Sequence, residues 1–560
     1  MQHRRILVPL ALAGSVGIAL APTFASASTT SHAALSAATS SAVAKAAGFK
    51  EFSSPAGKSV FHSRAATGAT TPNPNLAVSI LIEQTSAYGI TAHVHVTGLT
   101  SGTAAVKITW GDNHSSTATV TVASPNVKLP HEYAQVGDYT VATSVADGSG
   151  DTVTNSLVVP TAGSNYTAYG PVRILDTRSG LGAGAAPVAA HGTLKFKVTG
   201  KGISGDTIPT GITAVALNVT ETQSKAGGVL TAYNDDDWYG DTITNPGTSN
   251  LNFGKGQTAA NLVIVPVGAN GEVDFYNDSA GTTQVIADVE GYFSNASTDS
   301  YYSVTPTRVL DTRKGTGTGT VAKVAPGGNV TLKIAGDGTV PAAAQAVDLN
   351  ITATGGSNTG FITAYAGAGT YNASSNINYT AGQTVANDAI VPISNSSGEI
   401  TLHNSSSGTV DLIADVSGYF AGGGTSSNGA SAFVPLPSPA RLLDTRQTAG
   451  LFTLNAGKPV GVPLAVDPDL KAWVLNTTVT DTTGNGYVAV YPYNPSTPSA
   501  IPATSTLDYT KGQTVPNLTI AALGTVTDPT YDNYYDIGYY VGGTGSAQFV
   551  LDAFGFFYNK

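Results

Sequence analysis

The chain has 560 residues, of which 41% are hydrophobic and only 11% charged, with 64 Gly, no Cys and a formal charge of −10. That length exceeds one ordinary core and requires several domains. The low charged fraction excludes a coiled coil and a charge-driven disordered chain, the net negative charge excludes a simple basic nucleic-acid surface, and the missing Cys excludes disulfide staples and Cys-type zinc sites.

Arg4 and Arg5 precede the mostly apolar stretch Ile6 to Ala21, and Ala25-Ser26-Ala27 has the small-x-small form of a cleavage site. Residues 1–27 therefore read as a secretory signal peptide, which places the mature protein outside the cell, released or loosely attached to the cell surface. Residues 28–75, rich in Ala, Ser and Thr, read as a flexible leader. From Leu76 the pattern changes to short alternating runs between turn residues: Ala77 to Ile82, Thr91 to Val96, Val106 to Trp110, Val120 to Val127, His131 to Tyr133, Tyr139 to Val145 and Thr152 to Val159. Seven strands in about 85 residues predict a β-sandwich over 76–161.

Within that sandwich, Trp110-Gly111-Asp112-Asn113, then His131, Tyr133, Gly137 and Tyr139-Thr140-Val141, then Asp147 before a glycine turn, resemble the PKD domain family. The resemblance implies an immunoglobulin-like sandwich serving as an extracellular spacer or interaction module, with no catalytic residue. Asn113 stands where the family most often has Gly, and Asn tolerates the left-handed conformation.

The remainder is a threefold internal repeat. Pro171 to Arg178 returns as Pro306 to Arg313 and as Pro439 to Arg446; Leu217-Asn218 returns as Leu349-Asn350 and Leu475-Asn476; Gly256-Gln257-Thr258 with Asn261 returns as Gly382-Gln383-Thr384 with Asn387 and Gly512-Gln513-Thr514 with Asn517. Asp288 to Phe293, Asp415 to Phe420 and Asp552 to Phe557 close the copies. A period of about 130 residues is far longer than a solenoid repeat, so the copies, 162–296, 297–424 and 425–560, are expected to be separate beads. Leu194 to Val198 and Val330 to Ile334 alternate as half-buried strands, whereas Leu262 to Val267 is a continuous apolar run, the pattern of a strand covered on both faces. The fold expected is all-β: an immunoglobulin-like β-sandwich plus three tandem β-sandwich or β-barrel-like modules. The repeat resembles an uncharacterised module of secreted actinobacterial proteins over about residues 165–560, which implies a secreted, surface-associated role.

The sharpest polar feature is the Arg-x-x-Asp-Thr-Arg frame. Strand alternation puts Arg173 and Asp176 on opposite faces and Asp176 with Arg178 on one. Asp176, Arg178, Asp311, Arg313, Asp444 and Arg446 are either ligand forks for a carboxylate or sugar or structural pairs, with Asp288, Asp415 and Asp552 of the closing strands available to tie first strand to last. Tyr534 and Tyr535 head an aromatic cluster able to stack on sugar rings or to form a strand edge; Tyr233, Tyr365 and Tyr491 read as core or groove lining. Asn234-Asp235-Asp236-Asp237 offers calcium-type oxygens, but Ala366 to Gly369 stands at that place in the second copy, so the segment reads as one solvated loop and no metal or cofactor is assigned. Neither Gly-x-Ser-x-Gly nor His-Glu-x-x-His occurs. The functional expectation is a non-enzymatic, secreted binding protein for cell-surface or extracellular glycan, with no nucleic-acid partner and no membrane span in the mature chain; the alternatives are a structural spacer or coat protein and, behind these, a hydrolase. Other surface proteins are conceivable partners.

Overall fold

The computed structural model describes residues 50–54, 60–61, 73–100, 102–203, 205–236, 242–367, 369, 371–422, 429–447, 453–465, 467–494, 501–525 and 535–559. All regular structure there is β, in antiparallel sheets. The signal-peptide segment lies outside the described residues.

The first body is a two-sheet sandwich. Its strands alternate as half-buried strands must: in Thr103–Thr109, Ala104, Val106 and Ile108 point inward and their neighbours outward. Val120 to Val127, expected as one strand, is two, Ser115–Thr121 and Asn126–Glu132, because the chain turns at Thr121–Ser124 just before Pro125. Asn113 adopts φ 69°, the left-handed region the Trp110 turn demands. Part of the stretch read as a leader belongs to this body. Glu51–Ser53 pairs with Leu81–Glu83, Val60–Phe61 pairs with Val153–Thr154, and the Ser54 hydroxyl accepts from the Ile80 amide and the Asn155 side chain.

Each repeat copy is a sandwich of two sheets built on one four-strand plan, and the inner sheets of modules 2 and 3 join through Ser300–Asp311 and Ser431–Asp444 into one nine-stranded sheet that also takes in Leu454–Asn455. In module 1 the inner sheet runs Asn165–Asp176, Gln284–Ser294, Ala214–Thr222, Ala259–Pro266, so the first strand pairs with the last. The outer sheet runs Thr193–Lys197, Glu272–Ser279, Gly228–Tyr233, Leu251–Phe253. Modules 2 and 3 repeat this order, with Gly524–Thr525 added to the outer sheet of module 3.

The expectation of separate beads does not hold. Ala214–Thr222 is buried along its whole length. Val215, Leu217 and Val219 fill the module's own core, whereas Ala214, Ala216, Leu262 and Ile264 face a second core to which all three modules contribute. The inner strands are buried on both sides because the second side covers, and is covered by, the neighbouring modules. At the hub of this core, six buried rings interlock in a cycle. Tyr166 packs on Phe420 at 4.3 Å, Tyr301 on Phe557 at 4.4 Å, and Phe433 on Phe293 at 4.7 Å, each pair joining one module to another. Removing one such ring costs roughly 3–5 kcal/mol. The glycine of each closing motif makes room for the hub: a β-carbon at Gly291 or Gly418 would lie 2.0 Å or 2.2 Å from the hydroxyl oxygen of Tyr166 or Tyr301. Backbone pairing closes the same ring, through Tyr166 with Asp299, Tyr301 with Ser431 and Ser164 with Phe433. The three modules thus form one pseudo-threefold body.

The N-terminal sandwich sits against this body. Ala87, Tyr88 and Val136 pack with Ala432 and Val434 of module 3, the Gly163 amide donates to the Ala87 carbonyl at 2.8 Å, and the Asn295 side chain donates to Asp138 at 3.0 Å.

Candidate ligand-binding clefts between modules

In each module the opening strand carries a β-bulge, between Arg173 and Leu175, Arg308 and Leu310, and Arg441 and Leu443. The extra residue overrides simple alternation. Arg173 and Asp176, expected on opposite faces, come to 3.9 Å, and Arg308 and Asp311 to 3.8 Å. The first arginine of the frame spans to the closing strand: Arg173 grips Asp288 through Nε at 2.8 Å and Nη2 at 3.0 Å, and Arg308–Asp415 and Arg441–Asp552 repeat these distances. The second arginine folds back on the frame's own aspartate. Arg178 Nε and Nη2 reach Asp176 at 2.9 and 2.7 Å, and Arg313–Asp311 and Arg446–Asp444 are alike. These forks hold Asp176, Asp311 and Asp444 below the usual carboxylate range. Burial pushes Asp415 and Asp552 up against the pull of their arginines.

The closing aspartates also reach into the next module. Asp288 accepts the Ser375 amide at 3.0 Å, Asp415 the Ser505 amide at 3.2 Å, and Asp552 the Ser249 amide at 2.9 Å. Beside them runs a cycle of buried asparagines. Asn387 donates to Asn218 and accepts the Leu262 amide; Asn517 donates to Asn350 and accepts the Asp388 amide; Asn261 donates to Asn476 and accepts the Leu518 amide, all at 2.8–3.1 Å. These asparagines recur in the sequence at fixed places inside apolar strands. Each of these amides also donates to a carbonyl of its own module, Asn376, Thr506 or Asn250, so one side chain ties its own sandwich to the next.

Where modules 3 and 1 meet, the seam opens into a cleft of about 220 Å³, lined by Arg441 and Arg446 on one side and Thr231, Asn245 and Asn252 on the other. A second recess of about 350 Å³ adjoins it, sharing Asn252 and Thr514. Together they fall in the range of small-ligand sites, ~300–1,000 Å³. The Arg446 side chain is 43% exposed, while Asp444 beneath it is 4% exposed. The cleft therefore presents a guanidinium already oriented by its carboxylate, among hydroxyls and amides. Such a surface both donates and accepts hydrogen bonds.

The related frames are not chemically identical. Asn252 of module 1 corresponds to Asn378 in module 2 and to Asp508 in module 3, by their places in Leu251–Phe253, Ile377–Tyr379 and Leu507–Tyr509. Asp508 interacts with Arg308 and Arg313 across the seam between modules 2 and 3, and burial pushes it up to about 6. At this position that seam carries an acid where its counterparts carry an amide.

Of the aromatic candidates, Tyr534 lies outside the described residues. Tyr535 is half-buried against the core of module 3 and is not part of the cleft lining. Tyr233, Tyr365 and Tyr491 are buried. In the N-terminal sandwich, His131 stacks on Trp110 at 4.8 Å and bonds Asp112 at 2.8 Å, and Tyr133 donates to the Trp110 carbonyl at 3.0 Å, so these motif residues form a local brace.

No protein-family model matches this chain, and no curated protein matches it. Among the described residues, no helix is long and apolar enough to cross a membrane.

Proposed function

We propose that this chain is a secreted, non-catalytic binding protein whose pseudo-threefold body engages an extracellular or cell-wall glycan through the cleft between modules 3 and 1 and the related Arg–Asp frames of the other seams, with the N-terminal PKD-like sandwich as a spacer. The observation that carries this reading is the cleft between modules 3 and 1. Its oriented Arg446 fork, threonines and asparagines match the mixed donor and acceptor character of sugar hydroxyls. Related Arg–Asp frames repeated in one body suit a repeating polymer, because weak contacts at several sites gain through avidity. A structural spacer or coat protein without a small ligand is the competing reading.

Binding of the full chain to purified cell wall and soluble polysaccharides tests the proposal, with Arg446→Ala and the triple variant Arg178→Ala, Arg313→Ala, Arg446→Ala alongside. Glycan binding that weakens in the single variant and is lost in the triple variant, measured at a temperature where circular dichroism shows both variants folded, supports it. Absence of glycan binding together with self-assembly supports the coat reading, and turnover of the polymer would favour a hydrolase.

A further inference from the structure

The loop after Tyr233 in module 1 was expected to be solvated; its described part is not. Asn234 is 3% and Asp235 9% exposed. One oxygen of Asp235 is spoken for: Oδ2 accepts from Asn270 Nδ2 at 2.8 Å and Lys195 Nζ at 3.4 Å. The other, Oδ1, is fully buried and takes no hydrogen bond. It points into a space beside Gly268. A β-carbon at Gly268 would lie 2.3 Å from Asp235 Oδ1, 2.7 Å from Asp236 Oδ1 and 3.0 Å from Asn270 Oδ1. Gly268 does not adopt a left-handed φ, so its lack of a side chain serves space rather than backbone geometry. Asn234 Oδ1 and Asp274 Oδ1, in the adjoining residues, are likewise buried acceptors with no donor.

Acceptors gathered without donors call for a cation. Among the described residues, Lys195 bridges Asp235 and Asp274 from one side, and Lys197 stands opposite Glu272, so one bridging cation is set against Asp235, Asp236 and Asp274.

We propose that module 1 binds one calcium ion in this cradle, through Asp235 Oδ1, Asp236 Oδ1 and Asn270 Oδ1. The donors are all hard oxygens on an irregular loop, a set that suits calcium's loose geometry better than magnesium's strict octahedron. Asn270 Oδ1 already accepts the Glu272 amide at 2.9 Å, and an amide oxygen has a second lone pair to offer. Module 2 supplies an internal comparison. Ser394 occupies the place of Gly268, since its amide bonds Glu399 as that of Gly268 bonds Glu272, both at 3.0 Å. Gly367 and Ala368 replace the two acids. Module 2 has both filled the cradle with a β-carbon and discarded the charges, whereas module 3 keeps Gly524 in that place against the Tyr493 backbone and lacks the two acids, so the full donor set belongs to module 1. Because Asn234 also donates to the Pro437 carbonyl of module 3 at 3.1 Å, the ion would brace the loop where modules 1 and 3 meet.

The test is a CaCl2 titration of the full chain after EDTA treatment, by calorimetry and by thermal melting, with MgCl2 in parallel. One site per chain is expected, with a rise in melting temperature that MgCl2 does not reproduce. Gly268→Ser, which imports the module 2 residue, and Asp235→Asn should each weaken calcium binding at least ~10-fold. Asp236→Asn, at a half-buried position, provides the same readout should the Asp235 variant fail to fold. Neither heat nor a melting shift at about 10 mM CaCl2, well above the ~1 mM dissociation constants of weak extracellular sites, would overturn the proposal; so would equal calcium affinity in wild type, Gly268→Ser and Asp236→Asn.

Discussion

Glu290 gives the most quantitative test of the shared core. It is 1% exposed at the seam between modules 1 and 2, where its two carboxylate oxygens accept from Asn376 Nδ2 at 2.6 Å and the Ile390 amide at 2.7 Å. Desolvation outweighs both donors and pushes it from 4.5 up to about 8, with Asp288 and Asp348 adding to the rise. A group whose folded pKa is raised holds its proton more tightly when folded, so its contribution to stability is complete below the unfolded pKa and is lost as pH rises toward 8. At ~1.4 kcal/mol per unit, the shift from 4.5 to about 8 corresponds to roughly 5 kcal/mol between pH 4.5 and 8. Glu290→Gln removes the ionisation but turns an NH2 toward one of the two donors, at a cost of about 1–3 kcal/mol. The variant should be the less stable protein near pH 5 and should gain on wild type steadily as pH rises, overtaking it by pH 8. Urea unfolding at pH 5, 6, 7 and 8 measures this. Asp274, Glu221 and Asp508 titrate in the same interval, so the difference between the two curves is the quantity to read. Parallel curves from pH 5 to 8 would refute the burial argument for Glu290.

Two further substitutions separate the roles within the seam. Asp288→Ala strands the Arg173 guanidinium and the Ser375 amide together, and should destabilise the body by roughly 3–5 kcal/mol in denaturant unfolding; unchanged stability with lost glycan binding would instead make the Arg–Asp frame a ligand site. Asn387→Ala leaves the Leu262 amide, Asn218 Oδ1 and the Asn376 carbonyl short of a partner, and should cost roughly 3–5 kcal/mol; a loss under 1 kcal/mol would show that water replaces the amide and that the seam is wet.

Much of the fold was legible because its local signals agree. Alternation over Leu194 to Val198 and Val330 to Ile334 marks the outer sheets, and the run Leu262 to Val267 marks a strand covered twice. What alternation could not reveal was which element provides the second cover. An apolar face carries no address, and the same run is satisfied by a second sheet of its own module or by a neighbouring one. The address lies in the asparagines: each serves one carbonyl of its own module, and its remaining hydrogen-bonding capacity is met by the next module. The Arg-x-x-Asp-Thr-Arg frame was misread in detail for a different reason: a single bulge at Ile174 shifts the parity of every residue beyond it. The Gly268 cradle was hidden because its oxygens come from two segments, Asp235-Asp236 and Asn270, that only the folded chain brings together.

The seam also explains why three similar modules are carried on one chain in a fixed order. At three corresponding positions of the inner sheets, module 1 has Ala216, Leu262 and Glu290, module 2 has Asp348, Asp388 and Ser417, and module 3 has Val474, Leu518 and Phe554. The acids of modules 1 and 2 are buried and press on one another: Asp388 is driven up by burial and by Asp348 and Glu290, while Tyr301 donates to Asp348 at 2.9 Å. Three copies of module 2 around the axis would gather six such aspartates in one apolar core, whereas three copies of module 3 would gather none at these positions. Buried polar groups of this kind fix partner and register more than they add stability. Module 3 expressed alone, as residues 425–560, is therefore expected to assemble into trimers, burying Val474, Leu518 and Phe554 against one another, and module 2 alone, residues 297–424, to remain dispersed or misfolded at neutral pH. Analytical ultracentrifugation of the two fragments decides it. A stable module 3 monomer would mean that its inner face does not require a second cover, and the account of the shared core would fail there.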